Sequence, residues 1–336
     1  MSSAAYAQLA TLVQEPPRGD DWIHEAKLDG YRIFAHIEDG RVKLCTRNGN
    51  DWTDRMAVVA ENVAALGLSN TILDGEVCAV AADGRTDFQL LQNSLGSKKA
   101  RIVYYVFDLL RLRGDDIRSR PLVERKQLLK KALGRRCTEA EAPVRYSEHV
   151  VGRGDALFAQ ACKLGLEGII SKRGSSPYTA GRGTDWLKIK CTGRQEFVVV
   201  GYTPPAGSRE HFGALLVATR RGGQLQYAGK VGTGYTRKSL ADIAKKLAPL
   251  RRTSPPVDVA RFSIGLWGIT WVEPELVAEI EYSEVTRDGL LRHPVFRGLR
   301  EDKPAKQVAR EVAKRVGRQA QPARPGRIAK KPAKRS

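Results

Sequence analysis

Acidic residues are scarce in this chain: 37 Asp and Glu stand against 57 Lys and Arg in 336 residues, a net charge of +20. A surplus of that size points to a polyanionic partner or to a solvated basic surface, and charge alone does not separate the two. No run approaches the roughly 18 consecutive apolar residues that a membrane-spanning helix needs. Met1 to Asp20 lacks a basic start followed by a long apolar stretch, which reads against a secretory signal. The five cysteines (Cys45, Cys78, Cys137, Cys162, Cys191) are odd in number, scattered and never spaced C-x-x-C. That argues against a disulfide framework and a structural zinc site, and favours a reducing cytoplasm. The five histidines show no metal spacing, and H-E-x-x-H, G-x-x-x-x-G-K-[ST] and a strand-borne G-x-G-x-x-G are all missing. P-loop and Rossmann chemistry are excluded.

What is present suggests two domains. Alternation on both sides of Asp39-Gly40, from Arg32 to Arg47, reads as a β-hairpin. Ile72–Val80 and Ile102–Leu110 read as strands, Glu124–Leu133 and Asp155–Leu164 as helices, and Glu167–Ser171 as a short strand. Past Lys190 the character changes to Phe197–Gly201, Ala214–Ala218, Leu225–Val231 and Leu276–Tyr282, with one helix near Ser239–Leu250. Several short strands with a single helix suit a small β-barrel. The expected division is a mixed α and β domain over 1–192, a mostly β domain over 193–303 and a basic, flexible tail over 304–336. The tail holds eleven Lys/Arg and one acid, Glu311, so it carries +10 and the preceding 303 residues carry the other +10. Ala305 to Val316 has the composition for a helix.

Four segments carry chemistry. In an extended chain Glu25, Lys27 and Asp29 share one face, with Gly30 allowing a tight turn or close approach and Arg32 just beyond. The plain reading is an exposed charged edge. The functional one is a lysine nucleophile, which attacks only when neutral and so needs cationic neighbours or desolvation. In Trp186-Leu-Lys188-Ile-Lys190, alternation places both lysines on one face, where they repel unless an anion such as phosphate lies between them. Asp74-Gly75-Glu76 and Glu167-Gly168 set carboxylates beside glycine at strand starts, which suits either a turn or a divalent metal beside phosphate. Phe107 reads either as core or as a base-stacking ring.

Taken in order, these segments resemble the motifs of the covalent nucleotidyltransferases, ATP-dependent DNA ligases in particular. Lys27-Leu-Asp29-Gly30-Tyr-Arg32 is similar to the K-x-D-G-x-R nucleophile motif, and Thr46-Arg47-Asn48-Gly49 to S-R-x-G, with Thr in place of Ser. Asp74-Gly-Glu76, Tyr105-Val-Phe107-Asp108, Glu167-Gly-Ile-Ile-Ser-Lys172 and Trp186–Lys190 follow in family order. Leu291–Lys303 resembles the closing motif of the second domain, with wording close to the ligase module of bacterial non-homologous end-joining ligase D. The resemblance covers about residues 6 to 310.

The resemblance implies an α+β adenylation domain (nucleotidyltransferase, ATP-grasp-like) followed by an OB-fold β-barrel. It implies a ligase that seals 5′-phosphate/3′-hydroxyl nicks with ATP and Mg²⁺ or Mn²⁺ through a lysyl-AMP on Lys27. Asp29, Lys188 and Lys190 join Lys27 as catalytic residues, with both later lysines on the α-phosphate. Glu25 is expected to meet adenine, Phe107 to stack on it, and Arg32 and Arg47 to handle phosphate or ribose. Glu76 is expected near the ribose or the metal, and Glu167 is expected to hold metal. Arg300, Asp302 and Lys303 would orient pyrophosphate from the OB domain, and Arg182 joins the nucleotide site. The implied partners are nicked or broken duplex DNA, with Ku and separate end-processing polymerases left open; the implied state is a bacterial, nucleoid-associated monomer in the cytoplasm.

The sequence has no segment for polymerase or phosphoesterase modules and no large N-terminal DNA-binding domain, so DNA grip is expected from the two domains and the tail. Rival readings are an RNA ligase or GTP-dependent capping-type nucleotidyltransferase, and a non-catalytic DNA-end-binding scaffold.

Overall fold

The computed structural model describes residues 7–95, 100–207, 209–258, 268–311 and 313. Two sheets make the first domain. One runs in the order Gln8–Leu12, Gly181–Lys190, Gly168–Arg173, Trp22–Ala26, Val150–Val151. The other runs Arg41–Thr46, Tyr31–Glu38, Thr71–Val80, Arg101–Leu112, Asp115–Asp116, with Val144–Tyr146 joining Arg101–Leu112. The hairpin forms where the Asp-Gly pair required it. Glu38 pairs with Arg41, and Asp39 and Gly40 both take positive φ (47° and 76°), the two-residue turn whose twist matches the strands.

The helices Leu122–Leu133 and Gly154–Lys163 match their expected spans to within two residues. In the second helix Ala161 is buried, but Leu164 is exposed, because the helix ends at Lys163 and the turn carries the next side chain outward. Helices Ala57–Ala64 and Phe88–Ser94 go beyond the sequence expectations. Phe88 and Leu91 pack with Tyr31, Ile33 and Val77 in the first-domain core.

The chain leaves the first domain through Cys191 and Thr192. Gly193–Tyr202 then pairs with both Leu215–Arg221 and Val277–Tyr282. Gln224–Val231 and Val295–Leu299 flank these, and the Thr233–Val295 bridge brings the two ends of the sheet together into a five-stranded barrel. Helix Arg237–Leu247, started by a Thr236/Ser239 capping box, closes one end with Ile243 and Leu247 in the barrel core.

Two expectations are corrected. Cys162 and Cys191 are joined as a disulfide with Cα atoms 5.2 Å apart. The sheet brings the end of a helix beside the end of a strand from 29 residues away, which linear spacing could not reveal. Cys45, Cys78 and Cys137 are buried and take part in no disulfide. Second, the described start of the tail is no long helix. Only Ala305–Gln307 forms a 3-10 turn, after which Val308 is buried against the barrel's outer face and Ala309 bridges to Arg220. Residues 312 and 314–336 lie outside the described residues. Among the described residues no helix is long and apolar enough to cross a membrane.

Candidate active site

Strand Trp22–Ala26 pairs with Gly168–Arg173, so Glu25 lies opposite Ile170, and the Lys27 amide continues the ladder to the Gly168 carbonyl at 2.9 Å. Lys27 therefore stands one residue past a strand end, where its side chain leaves the sheet. The motif glycines are demanded by close packing. A Cβ on Gly30 would fall 2.1 Å from the Val77 carbonyl oxygen, and one on Gly168 would fall 2.0 Å from that of Ile189.

Lys27 Nζ lies 2.6 Å from Glu167 Oε2. The other carboxylate oxygen, Oε1, lies 3.2 Å from Lys190 Nζ but makes no hydrogen bond although it is buried. Burial would lower the Lys27 pKa, yet Glu167, with Glu76 and Glu279 beyond it, holds the ammonium above its ordinary value. The expectation that neighbouring lysines depress Lys27 is thus reversed: the nearest charge is a carboxylate. Burial would raise Glu167, but Lys27, Lys190 and Arg194 together hold its carboxyl well below the usual range. Desolvation pushes Glu76 up to about 7 despite Lys27 and Arg300 nearby. Burial, with Glu279 and Glu167, pushes Asp29 up to about 6 even though Arg194 forks onto both its oxygens at 2.8 and 2.9 Å.

Glu25 is buried with both oxygens taken, Oε1 by Lys126 Nζ at 2.5 Å and Oε2 by Lys172 Nζ at 2.7 Å. Those two ammonium groups outweigh burial and hold its carboxyl low. Lys172 Nζ also sits 4.2 Å from the Phe107 ring centre and 4.3 Å from that of Trp186, so Glu25 and Phe107 do share one chamber. Arg32 is held within the fold. Its Nε and Nη2 fork onto Asp74 at 2.9 and 2.6 Å, while Nη1 meets the Gln8 carbonyl and Nη2 the Tyr178 hydroxyl. Four of its five N–H groups are thus engaged, which leaves one on Nη1 for a ligand.

Leu187 and Ile189 enter the core while Lys188 and Lys190 face the site, as alternation required. Each lysine has its anion, a carboxylate in both cases: Glu167 for Lys190 and Glu311 for Lys188, the latter at 2.6 Å. Desolvation and Lys190 bring Lys188 down to about 8. Arg182 also reaches Glu311, at 3.2 Å.

The OB domain is docked on this site. Arg300 forks onto Asp302 at 2.9 Å twice, meets Glu279 at 3.1 Å and lies 4.7 Å from the Phe88 ring of the first domain. Lys303 pairs with Glu196, and the Asp302 carbonyl accepts from Asn48 in the Thr46–Gly49 turn. Arg47, in that turn, lies near enough to help Lys303 and Arg300 hold Glu196 and Asp302 low against burial.

Sequence reasoning missed Lys126, Arg194, Tyr178, Glu279 and Glu311 as site residues, and named Asp74 only within its motif. Of the missed ones only Lys126 left a signal. The buried face of its helix reads Leu122, Arg125, Lys126, Leu129, Leu133, and charges at core spacing mean buried partners. Among the described residues no group of three or more His, Cys, Asp or Glu gathers as a metal site. The unbonded, buried Glu167 oxygen does fit a cation whose remaining ligands come from phosphate oxygens and water.

Residues 3–190 match the family model described as the ATP dependent DNA ligase domain, and residues 208–303 that of the ATP dependent DNA ligase C terminal region. The chain is 46% identical over 308 residues to the multifunctional non-homologous end joining protein LigD of Pseudomonas aeruginosa, covering 90% of this chain and 36% of that one. It is 36% identical over 299 residues to the multifunctional non-homologous end joining DNA repair protein LigD of Mycobacterium tuberculosis, covering 88% and 38%. The chain therefore spans little more than a third of these relatives. The solved structure of mycobacterial DNA ligase D complexed with ATP and MES aligns with a TM-score of 0.68 at 34% identity, over 92% of this chain and 99% of that one. The chain belongs to the ATP-dependent DNA ligase family, with a nucleotidyltransferase domain followed by an OB-fold domain.

Proposed function

We propose that the chain seals 5′-phosphate/3′-hydroxyl breaks in duplex DNA through a lysyl-AMP on Lys27. The observation that carries this is the placement of Lys27 Nζ on Glu167, with Lys190 on the same carboxylate, at the end of the sheet and under a docked OB domain. In the first step Lys27 Nζ gives up its proton to solvent and attacks the α-phosphorus of ATP; the N–P bond forms, the bond to the β-phosphate oxygen breaks, and pyrophosphate leaves. A 5′-phosphate oxygen of DNA then attacks the AMP phosphorus as the N–P bond to Nζ breaks, and the 3′-hydroxyl oxygen, losing its proton to solvent, attacks the DNA 5′-phosphorus and expels AMP.

Each step is a phosphoryl or nucleotidyl transfer, governed by positioning and charge neutralisation. Glu76 and Glu167 would hold Mg²⁺ or Mn²⁺, which supplies positive charge to the phosphates and relieves Lys27 of the carboxylate that keeps it protonated. Glu25, held by Lys126 and Lys172 beside Phe107, selects and seats the base. Lys188 and Lys190 receive the α-phosphate. Arg300, Asp302 and Lys303 orient pyrophosphate from the OB domain, and Asp29 ties the nucleophile turn to that domain through Arg194.

Duplex DNA is the polyanion that a net charge of +20 suits. Ku and separate end-processing polymerases are the proposed partners, and a monomer on the bacterial nucleoid the proposed state. The test is incubation with α-labelled ATP or GTP and Mg²⁺ or Mn²⁺, followed by denaturing electrophoresis. Label from ATP on the wild type and none on Lys27→Ala is expected. Label from GTP alone would move the chain to the capping branch, and none from any nucleotide, with pre-adenylation excluded by mass, would leave a scaffold.

A further inference from the structure

The last described stretch of the chain does something that its composition opposes. Residues 304–336 are eleven Lys/Arg and one acid among uncharged residues, and a positive segment laid against Lys188, Lys190 and Arg182 would be repelled. Yet its described start, 304–311, does lie there, because its single acid meets Lys188 and Arg182. Ala305 and Val308 are buried against Val198, Val200, Leu216 and Trp271 on the outer face of the barrel. Ala309 bridges to Arg220, and the side chain of buried Gln195 pins Glu311 by its backbone, accepting from the amide at 3.4 Å and donating to the carbonyl. From that anchor the carboxylate reaches across to the first domain, with Oε2 2.6 Å from Lys188 Nζ and Oε1 3.2 Å from Arg182 Nη2. Lys188, Lys190 and Arg182 outweigh burial and hold the Glu311 carboxyl down at about 2, so it is ionised throughout the working pH range.

We propose that Glu311 is an internal ligand of the phosphate site, a carboxylate that occupies Lys188 and Arg182 until a substrate phosphate displaces it. The assignment rests on the reading of Lys188 as a phosphate-binding residue. A phosphate offers the same lysine and arginine more charge and more acceptor oxygens than a carboxylate does, so exchange is favourable once nucleotide arrives. The strap 304–311 crosses from barrel to first domain at this contact, so displacement also loosens one tie holding the OB domain closed. Glu311 is thus a positioning residue whose release accompanies substrate entry.

The test is a double-mutant cycle on the full chain. Binding of α,β-methylene-ATP, which cannot transfer AMP to Lys27, is measured by calorimetry in Mg²⁺ for wild type, Glu311→Gln, Lys188→Ala and the double variant. Glu311→Gln removes the charge at constant shape on a partly exposed residue. It is expected to bind about fivefold tighter, the scale of one such ion pair. Lys188→Ala is expected to bind more weakly, and adding Glu311→Gln to it should bring a clearly smaller gain, that of freeing Arg182 alone, an outcome that general loosening of the strap would not produce. If Glu311→Gln binds no tighter while Lys188→Ala weakens, the internal-ligand assignment is overturned and the phosphate role of Lys188 stands. The same gain with and without Lys188 overturns it too, by showing that Glu311 acts elsewhere. If Lys188→Ala binds normally, the phosphate reading fails first and takes the assignment with it.

Discussion

Two ion-pair groups in the first domain use similar residues to opposite ends. Arg125 and Asp108 are both fully buried, and the guanidinium forks onto the carboxylate at 2.8 and 2.9 Å with its other donors on the Arg120 and Ser176 carbonyls. Nothing in that pair is unmet. Lys27 and Glu167 are closer still at 2.6 Å, but the lysine keeps a fifth of its side-chain surface exposed and Glu167 keeps one oxygen without a hydrogen bond. A satisfied buried pair holds a fold; a pair with a spare valence and a path to solvent can exchange partners. The same contrast separates Arg32, closed on Asp74 and Tyr178, from Lys188, closed only by the displaceable Glu311.

The comparison can be broken or sharpened experimentally. The largest effect is expected at Lys27. Lys27→Ala should abolish the covalent adenylate, lowering sealing by on the order of 10³-fold or more, while its urea midpoint stays near that of the wild type. Arg125→Ala should do the reverse, costing about 3–5 kcal/mol in urea unfolding by leaving Asp108 charged, buried and alone. Equal stability losses in the two variants would erase the distinction between the two pairs.

Arg300→Ala should slow Lys27 adenylation by roughly 10²-fold, because a positioned cation acts on the leaving pyrophosphate. Sealing of a pre-adenylated nick, which releases no pyrophosphate, should fall far less, and equal losses in both assays would remove Arg300 from the first step. A smaller, pH-dependent effect is expected at Glu76. Its carboxyl is pushed up to about 7 by burial, so it is protonated below that pH and ionised above it. Mn²⁺ affinity measured by calorimetry should therefore climb as pH rises toward 7 and level off beyond it, and Glu76→Gln should flatten the profile. The stability sign is opposite: because the folded pKa exceeds the unfolded one, holding this carboxylate ionised costs stability as pH rises from about 4.5 through 7. The smallest effect belongs to the tail. Deleting 312–336, which spares the packed strap, should flatten the salt dependence of nick binding by about 0.9 in log–log slope for each DNA phosphate that the tail neutralises. An unchanged slope would leave DNA grip to the two domains alone.

The parts of the fold legible in the sequence were those fixed by local chemistry. Asp39-Gly40 dictated a turn with positive φ at both positions, and alternation around Lys188 and Lys190 dictated which side chains faced the core. The barrel's strands and its one helix followed from period and turn residues in the same way. The site was legible as a set of motifs, though not as a set of partners. Arg32 sits within the K-x-D-G-x-R motif, and only the arrival of Asp74 from a neighbouring strand and Tyr178 from a distant loop gave it its partners. Lys126 and Glu25 are 101 residues apart, and Arg194 and Asp29 are 165 apart. No spacing rule joins residues across such distances.

The sequence by itself determined that this chain makes a mixed α and β domain followed by a barrel, that Lys27 stands in its family's order of motifs, and that the chain carries a large positive surplus. Composition, periodicity and motif order are local or additive properties, and they survive without a folded structure. Only the tertiary structure decided which way the Lys27 pKa moves, because the field at Lys27 is the sum of Glu167, Glu76 and Glu279 brought in from three other strands or strand ends. It decided as well that Cys162 meets Cys191, and that the lone acid of a basic tail lies on Lys188. Electrostatic energies depend on distance and burial, and both are set only when the two sheets and the barrel have closed on one another.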